Sequence, residues 1–478
     1  MNDLVNFFID KVRILTISTL ACLLLSSCAN LEGLNQSAAT QLQLQQLALG
    51  HSIHRSNTIN APQHNWWALY HDEQLNQLLE DAIKDGQLVK SLQHRITLAK
   101  AITGIDQSQM LPSITVNGTS ERDHFTALQF IPPPWAGSTY WNNNVVTGLS
   151  YHLDLWGQRK NQWQASVDEV QAVTLDGQEA VIELRNAIIK LYLELAATYQ
   201  LKDLAVQELD DAKIALNIEI QRQQAGLGSK ATVNDYEASL PALNNKVTAL
   251  NLRIELVQTA LAALIGRGPG ATEKLHRPTL KLDTKISVPS SLPLHLIAQR
   301  PDITAQLWRI EAMQKRIQVA QKAFYPDINL SAFIGVEAIG FNQLFSHQAL
   351  LMGSSPALSL PLFDGGYRQA QLSIANSEFD LAVDQYNQRI LDALKEVTSS
   401  LSQLNSIALQ QQELTIALNK REHSLLYAKE SYQSGLTNYE TVLQNNTHYL
   451  NVASRIVEIE QVRLSTYAEL MRALGGGS

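Results

Sequence analysis

Apolar residues recur at helical spacing along two long stretches of the chain, and glycine marks a turn within each stretch. The clearer stretch follows Pro361, the last proline. Between Gly366 and Gly475 its only glycine is Gly435, in SYQSGLTNYETVL. Because proline and glycine are the strongest helix breakers, this composition predicts two helices folded back on one turn. The first, Tyr367 to Gln433, would be on the order of 100 Å long at ~1.5 Å per residue.

The same design occurs earlier in the chain at a constant offset. Gly226, in RQQAGLGSK, lies 209 residues before Gly435, and Gly266 lies 209 residues before Gly475. Self-similarity at a fixed spacing indicates a structural repeat. The sequence therefore predicts two helical hairpins, turning near residues 226 and 435.

The second arm of the first hairpin carries a heptad seam. Its apolar residues alternate three and four positions apart: Val233, Tyr236, Leu240, Leu243, Val247, Leu250, Ile254, Val257, Leu261 and Leu264. Such a seam packs along a neighbouring helix. Pro241 lies within it and predicts a kink or a non-α turn. An ordinary coiled-coil rod would explain the seam, but not the segments between the hairpins.

Four of those segments change from helical spacing to strict alternation. They lie at about 112–122, 143–156, 326–336 and 354–363. Each is about ten residues long with one apolar and one polar face, which is typical of a transmembrane β-strand. A half-buried soluble sheet would show the same pattern. The stretch from His124 to Asn144, with three consecutive prolines, is predicted to be a loop.

A helix should precede the first strand. Apolar residues recur at helical spacing from Leu75, Asp72 can cap the start, and the helix should stop just before Pro112.

The N-terminus indicates the compartment. Lys11 and Arg13 precede an apolar run from Ile14 to Leu25, which is too short to span a bilayer and suits a signal peptide over residues 1–27. The following LSSC resembles the lipobox of bacterial lipoproteins, in which the cysteine, here Cys28, is acylated. A plain buried thiol is the alternative. The residue after it, Ala29, is not the aspartate that retains such proteins in the inner membrane.

The four predicted strands and the signal peptide together favour a membrane assembly of several chains. Four strands cannot close a barrel, because open edges are not tolerated in hydrocarbon and the smallest single-chain barrels have about eight strands. The long helices exceed a membrane span and carry frequent charges, so we expect them in water.

Charge and motifs argue against other functions. The formal net charge of -8 provides no basic surface for nucleic acid. No phosphate-binding glycine loop, HExxH or GxSxG motif occurs, so we expect no enzyme, no catalytic residues and no metal site. The only expected cofactor is the covalent lipid on Cys28. A coiled-coil structural lipoprotein would need no duplicated strand pairs, and a lipid-anchored hydrolase would need a nucleophile and a base.

Several stretches resemble one family over essentially the whole mature chain. They are LPSITVNG, GLSYHLDLWGQ, RPDITAQLWRIEAMQKRIQVAQKAFYPDINLSAFIG, PLFDGGYRQAQ and YAELMRALGGG. They resemble the outer membrane factor (TolC-like) family, in particular its lipoprotein branch that serves tripartite resistance-nodulation-division efflux pumps.

The resemblance implies a mixed α and β fold and a homotrimer in the outer membrane of a Gram-negative bacterium. Three chains would form a 12-stranded transmembrane β-barrel, continuous with a long periplasmic α-helical barrel of coiled-coil hairpins. Substrates such as drugs would pass through passively, supplied by a periplasmic adaptor protein and an inner-membrane transporter. Type I protein secretion and metal-ion efflux use the same architecture and stay open as alternatives.

The resemblance also implies a domain organisation. It comprises a signal peptide at 1–27, an acylated linker and equatorial segment at 28–71, a first repeat at 72–266, an equatorial linker at 267–293, a second repeat at 294–474 and a tail at 475–478.

The hairpin turns would then be periplasmic tips, where the channel narrows and the adaptor docks. Carried over by motif, the tip residues are Arg222, Gly226, Tyr432, Gly435 and Tyr439. Some relatives have an acidic residue between the second glycine and the tyrosine. Because this chain has only Leu436, Thr437 and Asn438 there, Asp235 in the first hairpin is the acidic candidate.

Overall fold

The structure is a computed structural model that describes residues 38–42, 65–128, 131–286 and 294–476. The predicted signal peptide, Cys28 and most of the predicted N-terminal linker lie outside the described residues. The described chain combines long helices with one four-stranded sheet, so the predicted mixed α and β fold is confirmed.

Eight helices and four strands make up the described part of the chain. The helices are α1 (Glu73–Asp85), α2 (Gln87–Ser108), α3 (Gln158–Gln224), α4 (Lys230–Leu264), α5 (Leu294–Ala298), α6 (Pro301–Lys322), α7 (Tyr367–Gln433) and α8 (Tyr439–Ala473). The strands are β1 (Ser113–His124), β2 (Thr139–Leu153), β3 (Asp327–Ile339) and β4 (Leu350–Ser359). Three short 3₁₀ helices lie at Trp66–Tyr70, Pro269–Lys274 and His347–Ala349.

The two hairpins match one another residue for residue in length. Helices α3 and α7 each have 67 residues, and α4 and α8 each have 35. Each element of the second hairpin starts 209 positions after its counterpart in the first. The duplication inferred from the glycines therefore extends to the start and end of every long helix.

Pro241 lies inside α4 and does not end it. The non-α turn considered for this position is absent, since α4 is α-helical from end to end. One missing backbone hydrogen bond is a small loss in a 35-residue helix whose seam is packed.

By length and composition α4 is also the one described helix that could cross a membrane. Its charged residues instead pair with α3, Lys246 with Glu208 at 2.8 Å and Arg253 with Glu194 at 2.9 Å.

The predicted single helix before β1 is wrong, because two helices occupy this stretch. Asp72 caps α1 as expected, and its Oδ1 accepts a hydrogen bond from the Leu75 amide at 3.1 Å. The chain then leaves the helical conformation at Gly86, which has φ −60° and ψ 133°. A Cβ on Gly86 would lie 2.1 Å from the Ala82 carbonyl oxygen, so only glycine fits this break.

The strands form one antiparallel sheet in the order β1-β2-β3-β4. Two strand predictions need correction. Strand β2 begins at Thr139, inside the segment predicted as a loop, and ends at Leu153. Strand β4 ends at Ser359, so its predicted extension to residue 363 is wrong. Beyond Ser359 the chain, including Pro361, pairs with no strand within the described residues.

Contacts divide the chain into two units. Among the described residues, one unit comprises 38–41, 97–128, 131–172 and 306–385 and contains the sheet; the other comprises 42, 65–96, 173–286, 294–305 and 386–476 and contains the hairpin turns. Each unit therefore contains segments of both repeats.

The second unit has the main hydrophobic core. It is built from α1, α3, α4, α7 and α8 around residues such as Leu75, Ile188, Tyr192, Leu261 and Leu464, all of them fully buried. Trp66 lies in this core, with its ring 5.7 Å from that of Tyr467 in an edge-on contact. The tryptophan pair thus anchors the start of the first repeat against the last helix.

Candidate functional site

The sheet has one mainly apolar face that the described chain leaves exposed. The register of the three strand pairs places these residues on it: Ile114, Val116, Val145, Leu149, Leu330, Ile334, Val336, Met352 and Leu358. Ile114, Ile334 and Met352 are 68%, 55% and 68% exposed. An apolar surface of this extent is unfavourable in water and matches the lipid-facing side of a membrane strand.

The opposite face of the sheet is mainly polar. It carries Thr115, Asn117, Thr119, Asn144, Ser150, Asn329, Ser331, Glu337 and Ser355. Hydrogen bonds cross the strands here, from the Ser150 hydroxyl to Asn329 at 3.2 Å and from the Ser331 hydroxyl to the Ser355 carbonyl at 3.0 Å. Such a face suits a water-filled lumen.

Aromatic pairs lie at both ends of the two central strands. At one end the Trp141 and Phe341 rings are 5.9 Å apart. At the other the Trp156 and Tyr325 rings stack at 5.1 Å, and the Trp156 indole donates to the Pro326 carbonyl at 2.8 Å. Tryptophan and tyrosine concentrate at the two interfaces of a bilayer, so these pairs mark where a membrane would begin and end.

Both hairpin turns have the same backbone design. Gly226 and Gly435 have φ of 72° and 71°, a left-handed conformation that favours glycine. The Leu227 amide donates to the Arg222 carbonyl at 2.8 Å, and the Leu436 amide donates to the Ser431 carbonyl at 2.9 Å. With the hydrogen bond that each glycine amide also makes, this is a Schellman motif.

Capping side chains then start the returning helices. The Ser229 hydroxyl accepts from the Ala231 amide at 3.1 Å, and the Asn438 side chain accepts from the Thr441 amide at 3.2 Å. These contacts make each turn a defined structure of a few residues.

Arg222 lies at the end of α3, one turn before Gly226. Its guanidinium pairs with Glu219 of the same helix at 3.1 Å. Glu219 is buried, whereas the Arg222 side chain is 40% exposed. Within the described chain Arg222 therefore does not bridge the two turns, and its outer face is open to another molecule.

Tyr432 and Tyr439 do come together, across the second turn. Their rings lie 5.3 Å apart in an edge-on arrangement. Tyr439 also packs against a small apolar cluster of Leu425, Ala428 and Val442. Burial, followed by the charge of Asp211, raises the pKa of the Tyr439 hydroxyl, so this hydroxyl stays neutral at physiological pH.

Asp235 lines a groove of about 490 Å³ in which residues of both hairpins meet. Glu208 and Tyr236 contribute from the first hairpin, and Glu440 contributes from the second. Burial raises the pKa of Tyr236, and the charges of Glu440 and Glu219 add to this effect. Asp235 thus lies in an acidic groove rather than at the turn itself.

Sequence reasoning missed one contact that joins the hairpins and one acidic residue beside the second turn. Asn446 of α8 is buried and donates to Asp211 of α3 at 2.6 Å. Glu440 directly follows Tyr439 and places an acidic group beside the second turn, where none was expected. The glycine-to-tyrosine interval ends one residue too early to include Glu440, and no local pattern marks Asn446 as the partner of Asp211.

Two other expectations concern chemistry away from the turns. Among the described residues no group of three or more His, Cys, Asp or Glu side chains could hold a metal ion. Lipidation of Cys28 stays a prediction, because Cys28 lies outside those residues.

Sequence comparisons identify relatives along almost the whole chain. The family model described as outer membrane efflux protein matches residues 78–267 and 292–476. The fusaric acid resistance protein FusA of Burkholderia cepacia is 33% identical over 361 residues, which are 74% of this chain and 68% of FusA. The multidrug resistance outer membrane protein MdtP of Escherichia coli K12 is 25% identical over 462 residues, 95% of this chain and 94% of MdtP.

Solved structures show the same fold. The outer membrane protein VceC of Vibrio cholerae superposes with a TM-score of 0.79 at 27% identity, covering 87% of this chain and 99% of VceC. The CmeC outer membrane channel of Campylobacter jejuni superposes with a TM-score of 0.82 at 21% identity, covering 92% of this chain and 95% of CmeC.

Proposed function

The chain belongs to the outer membrane efflux protein family, and on that premise we propose that three copies form a conduit through which a tripartite pump expels small molecules. This membership confirms the family resemblance of the sequence motifs. The family and the fold are those of outer membrane channels rather than enzymes. The observation that carries the proposal is a four-stranded sheet with an exposed apolar face, a polar opposite face and aromatic pairs at both ends.

Closure of the sheet requires more than one chain. Strand β1 pairs only with β2, and β4 only with β3, within the described residues. Each unpaired edge in hydrocarbon would leave a row of unsatisfied backbone groups, each costing several kcal/mol. Pairing β1 of one copy with β4 of the next removes both edges, and three copies give a barrel of about twelve strands.

The spacing of the aromatic pairs fits a bilayer. The stretch of β2 between them, from Asn142 to Leu153, corresponds to roughly 40 Å of strand at ~3.3 Å per residue. Strands in such barrels are tilted by about 40°, which reduces the height to roughly 30 Å, the thickness of the hydrocarbon core.

The hairpins supply the periplasmic part of the conduit. Helices of 67 residues exceed any membrane span, and their ion pairs with neighbouring helices suit water. In our proposal the turns at Gly226 and Gly435 are the far ends, where a periplasmic adaptor docks and an inner-membrane transporter of the resistance-nodulation-division type delivers cargo. The channel itself conducts passively and opens when the turns move apart, in an iris-like change between two packings of the same helices.

Cargo and anchoring complete the proposal. The relatives are named for resistance to fusaric acid and to multiple drugs, which favours small organic molecules over secreted proteins or metal ions. The LSSC sequence favours an acyl anchor on Cys28 in the outer membrane.

A cellular efflux assay tests this function. A Gram-negative host that lacks its own efflux channel would express the chain together with an inner-membrane transporter of the resistance-nodulation-division type and a periplasmic adaptor, and accumulation of a fluorescent drug would be measured. We expect accumulation to fall only when all three components are present. A fall in drug accumulation without the chain, or no fall when all three components are present, would exclude the proposed role.

A further inference from the structure

A buried charge cluster lies where the last helix ends. Arg300 is 2% exposed and its guanidinium donates to both carboxylate oxygens of Asp302, at 3.0 and 2.9 Å. The same guanidinium donates to Glu396 at 2.9 Å and to the Ala473 carbonyl, at the end of α8, at 3.0 Å. We call Arg300, Asp302, Glu396, Arg472 and Glu179 the Arg300 cluster.

Arg472 links the cluster to its surroundings. It contacts Glu396 at 3.2 Å, Glu469 at 3.4 Å and Glu183 at 3.6 Å. Arg389 of α7 approaches Asp302 at 3.7 Å. Charged groups from α3, α6, α7 and α8 therefore meet here.

Glu179 of α3 is the one carboxylate of the Arg300 cluster that has a buried, unpartnered oxygen. Its Oε2 is shielded from solvent and has no hydrogen-bond partner. Asp302 and Glu183 face it with negative charge, while Arg300 and Arg472 face it with positive charge. Burial, followed by the charge of Asp302, raises the pKa of Glu179 to about 7, although Arg300 and Arg472 oppose the shift.

The first repeat has no equivalent of this cluster. With the offset of 209 residues between hairpins, Glu179 corresponds to Gln388, which is exposed, and Arg472 corresponds to Ala263. With the offset of 214 residues between α2 and α6, Arg300 corresponds to Gly86.

The corresponding end of α4 combines a close backbone approach with a partly exposed ion pair between Arg267 and Asp81 at 2.8 Å. A Cβ on Gly266 would lie 3.2 Å from the Asp85 carbonyl oxygen and from the Gly86 Cα. Two glycines thus allow a close approach at the end of the first repeat, where the second repeat uses buried charges. The duplicated unit is asymmetric at this point: the cluster lies at the end of the second repeat, and the first repeat contributes Glu179 to it.

We propose that the Arg300 cluster is a proton-operated lock that joins α3 to the ends of α6 and α8. With a proton on Glu179 the cluster holds no unpaired buried anion. Loss of that proton leaves a carboxylate beside Asp302 without a partner. The lock then loosens, and α3 packs less tightly against the cluster.

The direction of the pH effect follows from linkage. The folded pKa of Glu179 lies above the ordinary glutamate value of 4.5, so the folded protein binds the proton more tightly than the unfolded chain does. The stabilisation is complete at acidic pH and is lost as the pH rises towards and through about 7.

The test compares melting curves of the full-length, detergent-extracted protein from pH 5 to pH 9, for the wild type, Glu179→Gln and Glu183→Gln. Glu183 also contacts Arg472, but its side chain is 62% exposed, which makes it the matched control. We expect Glu179→Gln to melt close to the wild type at pH 5 and several degrees above it at pH 8. Glu183→Gln should keep most of the pH dependence of the wild type, because burial and Asp302 raise the pKa of Glu179 more than Glu183 does.

Hydrogen exchange supplies a second readout. Once corrected for intrinsic rates, amides of α3 around Glu179 should exchange several-fold faster at pH 8 than at pH 6 in the wild type and equally in Glu179→Gln. If Glu179→Gln does not fold, the comparison of wild-type exchange at pH 6 and pH 8 still tests the proposal. A constant offset between the melting curves at all pH values, or unchanged wild-type exchange, would overturn the proposal.

Discussion

The ring of Tyr432 lies edge-on against the ring of Tyr439 across the turn that joins α7 to α8, with 5.3 Å between the ring centroids and 70° between the ring planes. One tyrosine ends the long arm of the hairpin and the other begins the returning arm. The pair therefore holds the second turn in the packing that the structure describes.

Removing the ring of Tyr432 should loosen this turn. An edge-on aromatic pair contributes about 0.5–1.5 kcal/mol beyond its buried area. We expect Tyr432→Ala to raise the single-channel conductance in a planar bilayer, because the tip can open more readily. Tyr432→Phe keeps the ring and is the control. Equal conductance for the wild type and both variants would argue against a gate at this pair.

The ion pair of Arg222 makes a separate prediction. Arg222→Ala leaves the buried Glu219 carboxylate without its partner, so we expect a higher conductance and a slightly lower melting temperature. Lys213→Ala is the matched control, since Lys213 pairs with Asp210 at the same i,i+3 spacing but both side chains are more than half exposed. An effect of the same size in both variants would show that Arg222 has no special role.

The turn glycines should be needed for their backbone conformation alone. A Cβ at Gly226 or Gly435 would meet no atom within 4 Å, so alanine adds no clash there. The positive φ still costs about 1–2 kcal/mol for a residue with a Cβ. Gly226→Ala and Gly435→Ala should therefore lower the melting temperature.

Gly104, inside α2, is the control for the glycine variants. A methyl group added there would also meet no atom within 4 Å, but the backbone of Gly104 is helical. Gly104→Ala should raise stability by about 0.5–1 kcal/mol, because alanine loses less backbone entropy on folding. If the alanine variants at Gly104 and at the two turns changed the melting temperature in the same direction, this explanation would be contradicted.

A charge on each face of the sheet tests the membrane orientation. Ile334 and Ser331 lie three residues apart on β3 and on opposite faces. Arginine on the lipid face costs about 2–4 kcal/mol at mid-bilayer, whereas arginine in a water-filled lumen is tolerated. We expect Ile334→Arg to abolish the outer membrane band on an immunoblot and Ser331→Arg to retain it. The reverse result would place the apolar face in the lumen.

Asp72 predicts a loss of stability in acid. Burial opposes its charge, but hydrogen bonds from Tyr192, Leu75 and Thr279 outweigh burial and lower its pKa below the ordinary value. Because the folded pKa is depressed, the stabilisation is present above about pH 4 and is lost as the pH falls through the folded pKa. The difference in melting temperature between the wild type and Asp72→Asn should therefore be large at pH 7 and shrink below pH 4. A difference in melting temperature that stays constant with pH would contradict this role of the Asp72 charge.

The long hairpins could be predicted because their signals are local. Gly226 and Gly435 are visible as isolated breakers, and the heptad seam after Val233 specifies which face is buried. Strand alternation likewise predicted which residues share a face of the sheet. These features depend on residues a few positions apart, where sequence patterns are informative.

Several features that the sequence did not predict involve contacts between residues far apart in the chain. Gly86 separates two helices, and Gly266 approaches it closely from another part of the chain. The partners of Arg300 lie up to 173 residues away. The pairing of Asn446 with Asp211 spans 235 residues. The periodicity within one helix or strand does not indicate which distant residues pair. The sequence therefore predicted the helices but not these contacts between them.

Two measurements on one sample decide whether three copies of the chain form a conducting channel. Single-channel conductance of the detergent-extracted protein is recorded in a planar lipid bilayer, and light scattering gives the mass of the particle. We expect a particle of three chains that produces small, discrete conductance steps, because the proposed barrel would be closed by three sheets. A monomer, or a trimer that never conducts, would contradict the channel and leave a lipid-anchored helical protein as the better description.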